Sequence, residues 1–141
     1  MNVKYLLDTC LVSELVKKEP DAKVVVWLDG CDEENLFLSV LTIGEIQKGI
    51  SKLPDGERKE TLQRWLEDDL TERFKGRILD VDRDAAMAWG RLLGSSASRG
   101  ETLPVMDSLI AATAINWGLV VVTRNVKDMG RCTESLFNPW E

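Results

Sequence analysis

Three acids in this chain stand where chemistry is easily built. Asp8 follows at once on the apolar run Val3 to Leu7, and Glu45 lies early in a helical stretch after the run Leu36 to Val40. Asp107 sits in the first turn of a segment, Pro104 to Trp117, that is otherwise apolar almost all the way round. The chain contains no His, and Cys10, Cys31 and Cys132 are odd in number and widely separated. Ser–His–Asp and Cys–His nucleophiles, CxxC motifs and the common His-containing metal sites are thereby excluded, and any catalysis falls to carboxylates. Two carboxylates about 4 Å apart repel by roughly 4 kcal/mol at an effective dielectric of 20, so three gathered together need compensation. A hard divalent cation supplies it, and an all-oxygen ligand set suits Mg²⁺ or Mn²⁺. The chemistry that follows is hydrolysis of a phosphate ester by metal-activated water.

The elements around these acids must bring them together. Val3, Tyr5, Leu6 and Leu7 form a first strand, and Leu11, Val12, Leu15 and Val16 begin a helical spacing directly after Asp8. A second helix is expected from Pro20 to about Gly30, a strand from Leu36 to Val40, and a helix from about Thr42 carrying Glu45. Pro54 opens a longer helix, with Leu62, Trp65, Leu66, Leu70 and Phe74 as its apolar stripe. Ile78-Leu79 reads as a short strand, and Asp82 as the cap of a helix whose inner face is Ala86, Trp89, Leu93 and Ala97. Pro104 suits the first turn of the next helix and Gly118 its end, with a continuous apolar strand from Leu119 to Val122. A short turn or helix then spans Lys127 to Met129, and Leu136-Phe137 reads as an edge strand. Strands alternating with helices imply a mainly parallel sheet covered on both faces, whose site lies at the carboxyl ends of the strands. Asp8, Glu45 and Asn125 all fall at that rim.

Each acid also has a plain structural use. Asp8 suits a helix cap, Thr42-Ile43-Gly44-Glu45 fits a capping box, and Asp107 is favoured by the helix dipole. Three separate segments delivering an acid to one rim weigh more than any of them alone. Thr123 is a turn residue or a partner for a metal water, Arg124 a surface charge or a phosphate clamp, and Lys48 a partner of Glu45 or a contact for a backbone phosphate. The five Trp fall mostly on apolar helix faces, where core packing is expected, and Cys10 reads as a small buried residue.

The composition sets limits. At 141 residues, 30% charged and 44% hydrophobic, residues 1–141 are expected to form a single domain. No apolar run approaches a membrane span and the amino terminus does not read as a signal peptide, so a cytoplasmic protein without membrane contact is expected. A net charge of −6 argues against a broad basic face for nucleic acid, but not against a small cleft where a cation and a few Lys or Arg meet one phosphate.

The ordered set Asp8-Thr9-Cys10-Leu11-Val12-Ser13-Glu14-Leu15, Ser39 through Glu45-Ile46, Leu103-Pro104-Val105-Met106-Asp107, Thr123-Arg124-Asn125 and Asn138-Pro139-Trp140 resembles the PIN-domain nucleases. The likeness is particularly to the VapC and FitB-like toxins of toxin–antitoxin pairs and covers nearly the whole chain. It implies a three-layer α/β/α fold, a Mg²⁺- or Mn²⁺-dependent endoribonuclease acting on RNA, a homodimer, and a small antitoxin partner. Asp8, Glu45 and Asp107 match the first three acidic positions. The implied roles make Asp8 and Asp107 the main metal ligands and Glu45 a ligand or an orienter of water, with Asn125 and Thr123 as polar support. The fourth position falls on Asn125, where many relatives carry Asp, which puts a tightly held second metal in doubt; Asp128 nearby is an indirect contributor at most. Cys10 departs from the Asn often found there. Two rivals stand beside this reading. One is a phosphatase or phosphotransferase with Asp8 as nucleophile, which would want an Asp where Cys10 stands or a Lys near Thr123-Arg124-Asn125. The other is a binding domain whose acids only cap helices.

Overall fold

The computed structural model describes residues 2–141. Five strands form one parallel sheet: β1 (Tyr5–Leu7), β2 (Leu36–Ser39), β3 (Ile78–Leu79), β4 (Val120–Val122) and β5 (Leu136–Phe137), in the order β3-β2-β1-β4-β5. The chain runs outward from β1 to β3 and then returns to the other side of β1. Between β1 and β4 the winding therefore changes direction, the point where parallel sheets open a crevice at their carboxyl ends.

Side chains alternate across the strands, so the sheet has two separate apolar faces. Leu7 and Val122 face a core with Leu11 and Val12 of α1 (Thr9–Glu14), Val24 and Leu28 of α2 (Ala22–Asp29), and Ile46 and Ile50 of α3 (Val40–Ser51). The same layer takes in the long helical stretch made of α4 (Glu57–Arg64), a wider π-type turn (Trp65–Leu70) and α5 (Thr71–Arg73), which contributes Leu66 and Leu70. Leu6 and Val121 face the opposite way, toward Ile110, Ala111 and Ala114 of α7 (Val105–Trp117), Met129 of α8 (Val126–Met129) and, at the edge, Leu92 and Leu93 of α6 (Arg83–Ser98). The expected α/β/α layering is the observed one.

Several boundaries and faces differ from those read in the sequence. Strand β2 ends at Ser39, whose hydroxyl caps α3 by accepting from the Leu41 N–H at 3.1 Å, so α3 starts at Val40 rather than at Thr42. Pro20 and Pro54 lie outside the helices they precede, which begin at Ala22 behind the Asp21 cap and at Glu57. Pro104 is the cap of α7 rather than its first residue. On α6 the buried side chains are Ala85, Ala88 and Ser96, while Ala86 and Ala97 are exposed. Small apolar residues occur all round that helix, so periodicity alone left its facing undetermined by one position. The last turn of α7 also emerges from the protein, with Ile115 50% and Trp117 53% exposed. Gly118 then ends α7 in the left-handed conformation at φ 67°, where a side chain would be strained.

The carboxyl-terminal segment is tied back across the molecule by one buried acid. Glu14, 3% exposed, accepts from the Lys17 ammonium at 3.0 Å, the Asp21 backbone N–H at 3.0 Å and the Trp140 indole N–H at 3.3 Å. Burial works to raise its pKa, but these three donors outweigh it and hold the carboxyl below the usual glutamate range. The contribution to stability is therefore complete above the unfolded glutamate pKa, about 4.3, and is lost as pH falls through the lower folded value. Glu14→Ala leaves two of those donors unsatisfied inside the protein, and urea unfolding at pH 7 should show a loss of about 2–4 kcal/mol. That difference from the wild type should narrow below about pH 4.

Candidate active site

The crevice between β1 and β4 is where the sequence-selected acids collect. Asp8 follows β1 directly, and its backbone N–H bonds to the Val122 carbonyl of β4 at 3.0 Å, continuing the sheet by one more link. Its side chain, in a residue only 7% exposed, accepts at one oxygen from the Thr9 backbone N–H and at the other from the Thr123 hydroxyl, both at 2.8 Å. Asp8 is thus the cap of α1 and is also bound to the end of β4.

Glu45 is not part of a capping box. With Ser39 as cap, Glu45 lies nearly two turns into α3, too far to reach back to the cap backbone. Its carboxylate instead accepts from the Thr9 hydroxyl at 2.5 Å, and Thr9 also meets the hydroxyl of buried Thr42 at 3.3 Å. Thr9 therefore holds one carboxylate with its backbone and another with its side chain. The sequence reading passed over it; the available signal was a hydroxyl directly beside Asp8 at the start of a helix.

Asp107 enters from the opposite layer. The first turn of α7 is fixed by Trp89 of α6, whose indole donates to Ser108 at 3.0 Å, while Ser108 bonds back to the Val105 carbonyl at 2.8 Å. Partial burial raises the Asp107 pKa, and the charges of Asp8, Asp128 and Glu45 raise it further. These four acids share one electrostatic neighbourhood. None of the ion pairs among the described residues involves any of them.

The remaining candidates divide. Thr123 is fully buried and bound to Asp8. The exposed Asn125 turns its amide toward Asp128, to which it donates at 3.4 Å, and its backbone N–H bonds to the Thr123 hydroxyl at 3.0 Å. Lys48 lines a cleft of about 360 Å³ with Glu45 and Met106 but forms no ion pair with Glu45. A second cleft, of about 250 Å³, lies on the other side of Glu45 and is lined by Thr9, Ser13, Ile46, Arg58 and Trp65 among others. Arg124 spreads over the Trp140 ring at 5.0 Å. Cys10 is half-buried rather than buried, 3.6 Å from the Thr123 hydroxyl and 3.9 Å from Asp8. Burial pushes its thiol pKa up, against the Arg124 N–H that lowers it, so Cys10 is present as the neutral thiol.

Among the described residues, no three Asp, Glu or Cys side chains are already drawn up as a cage for a cation. The donor set nevertheless fits a hard divalent ion in its chemistry, being carboxylate and hydroxyl oxygens that have no ion-pair partner among the described residues. A family model described as PIN domain matches residues 5–129. The chain belongs to the PIN-domain family. It is 35% identical to the VapC ribonuclease Y4jK of Sinorhizobium fredii over 136 residues, which cover 96% of this chain and 97% of that one. It is 34% identical to the toxin FitB of Neisseria gonorrhoeae over 135 residues, covering 96% and 97%. The crystal structure of FitAcB from Neisseria gonorrhoeae superposes with a TM-score of 0.90 at 34% identity, covering 97% of this PIN domain and 99% of its counterpart.

Because Asp107 is held above the usual aspartate range, its ionisation costs the folded PIN domain stability. That cost is absent below the unfolded aspartate pKa, about 3.9, and grows as pH rises through the folded value. Asp107→Asn should therefore melt about 1–3 °C above the wild type at pH 7 in EDTA, a difference that should vanish near pH 3.5.

Proposed function

We propose that this PIN domain is an endoribonuclease toxin that hydrolyses RNA phosphodiester bonds with Mg²⁺ or Mn²⁺ held by Asp8, Asp107 and Glu45. The observation that carries the reading is the set of carboxylates at the β1–β4 crevice, mutually repelling and without an ion-pair partner. When bound, the cation supplies Lewis acidity, easing deprotonation of a water and offsetting charge on the phosphoryl and leaving oxygens.

The chain's own residues do the positioning. Thr9 and Thr123 fix both oxygens of Asp8, so its remaining lone pairs aim in a set direction. Thr9 leaves one Glu45 oxygen bonded and the other available to orient a water. Asp107, whose pKa is raised by burial and then by its acidic neighbours, accepts positive charge readily and closes the site from the α7 side. Lys48 and Arg124 stand at the rim as contacts for the phosphates flanking the scissile bond. Asn125 steers Asp128 and supplies no charge of its own, which favours one tightly held cation over two.

The same reading gives the PIN domain a small antitoxin partner, a homodimeric state and a cytoplasmic location. The likeness to VapC and FitB toxins supports the partner, and no helix among the described residues is long and apolar enough to cross a membrane. The rival with Asp8 as a phosphorylated nucleophile is disfavoured, since Cys10 stands where a second Asp would be wanted and no Lys stands at residues 123–125.

Purified protein should cleave single-stranded RNA in Mn²⁺ or Mg²⁺ and stop in EDTA. Asp8→Asn, Glu45→Gln and Asp107→Asn should each reduce the rate by on the order of 10²–10³ with circular dichroism unchanged. Cleavage at wild-type rate by folded Asp8→Asn and Asp107→Asn would overturn the mechanism.

A further inference from the structure

Arg124 occupies the one position between Thr123, which is bound to Asp8, and Asn125, which faces Asp128. Its backbone N–H donates to the Cys10 sulfur at 3.5 Å, and its guanidinium is near enough to Cys10 for its charge to act on that thiol. The cation thus lies on the Cys10 side of the crevice. No carboxylate pairs with it among the described residues. What it touches is a ring, with the guanidinium carbon 5.0 Å from the Trp140 centroid.

Trp140 is held from two directions. Its backbone N–H bonds to the Asn138 side-chain oxygen at 2.9 Å, and its indole N–H bonds to buried Glu14. A linked series runs from a carboxylate inside the protein, through an indole near the carboxyl terminus, to a cation at the rim of the site. An unrestrained Arg at a loop would lose much rotamer freedom on meeting a phosphate. Stacking on an indole face removes that freedom in advance and leaves the N–H edge of the guanidinium open for bidentate bonding to a phosphate.

We infer that Trp140 is the positioning residue for Arg124, and that the Asn138-Pro139-Trp140 segment, anchored by Glu14, sets an RNA backbone phosphate beside the carboxylate cluster. The inference rests on the ribonuclease reading of that cluster. Arg124 is the group that touches substrate; Trp140 acts through it.

The test uses the full chain in Mn²⁺ with a fluorescein-labelled single-stranded RNA of mixed sequence, reading KM, kcat and the dependence of binding on salt. Arg124→Gln should raise KM about tenfold with kcat changed much less. It should also flatten the slope of log affinity against log salt by about 0.7, the loss of one phosphate contact on a single strand. Trp140→Leu, which keeps Arg124, should raise KM about three- to fivefold and flatten the slope in the same way. The double variant should be no worse than Arg124→Gln alone, and Trp140→Phe, which restores an aromatic face, should recover most of the affinity. A Trp140 that served only as packing would lower the melting temperature and leave the salt slope at its wild-type value. Should Trp140→Leu not fold, Trp140→Met carries the same expectation.

The inference is overturned if the folded aliphatic variant keeps the wild-type KM and slope, or if its effect multiplies with that of Arg124→Gln. A wild type that cleaves RNA while these variants match it would overturn this inference alone. A wild type that neither binds nor cleaves RNA would remove the ribonuclease reading and this one with it.

Discussion

The placing of Asp107, half-buried and within reach of the charges of Asp8, Asp128 and Glu45, is the constraint to which the rest of the molecule answers. These acids come from four separate segments, and each is placed at the β1–β4 crevice by an element whose own packing is apolar and secure. Leu6 and Leu7 anchor β1 on opposite faces of the sheet, Ile46 and Ile50 anchor α3, and Ile110 with Ala111 and Ala114 anchors α7. Burial of those side chains offsets an electrostatic arrangement that by itself would drive the elements apart. Like charge concentrated at one edge lowers stability.

The two ends of the sheet treat acids in opposite ways. At the amino end Glu33, just before β2, is forked by Arg73 at 3.0 Å and Arg77 at 3.1 Å, while Arg77 also bonds to the Leu36 carbonyl at 2.7 Å. Burial would raise the Glu33 pKa, but the two guanidinium groups outweigh it and lower it. At the carboxyl end Asp8 and Glu45 are held by Thr9 and Thr123, neutral hydroxyls and a backbone N–H. A guanidinium would fix these carboxylates as firmly, but it would also cancel their charge and crowd out a metal ion. Hydroxyl donors orient the oxygens and leave the negative potential available, which is the arrangement a site for a hard cation needs.

The sheet, and the rim at which Asp8 and Glu45 fall, were legible from the sequence because both rest on patterns with a strong period. Short runs of β-branched and aliphatic residues separated by helical spacings leave few arrangements other than a covered parallel sheet, and that topology carries Asp8 and Glu45 to one rim. What escaped was set by single contacts. Whether Ser39 or Thr42 caps α3 decides whether Glu45 is tied up at a helix end, and both residues are competent caps. The buried alanines of α6 were misplaced because Ala85, Ala86, Ala88 and Ala97 are the same residue and carry no pattern of their own. Thr9 and Glu14 were invisible as holders of structure, since their partners Glu45 and Trp140 lie 36 and 126 residues away. Local spacing carries no information about such pairs.

Asn125 raises the question of how much charge the site retains where an acid would add one. The answer lies in α8, which starts directly after Asn125 and places Asp128 three residues on. The Asn125 amide donates to Asp128 at 3.4 Å, and Asp128 acts on Asp107 more strongly than Glu45 does. A neutral side chain thus stands at the rim and steers a charged one set back from it. Three carboxylates act on Asp107, but the one from α8 does so through its field rather than from the position beside Thr123. Positive charge is still drawn to the crevice as a whole, and Asn125 adds no further charge to those of Asp8 and Asp107.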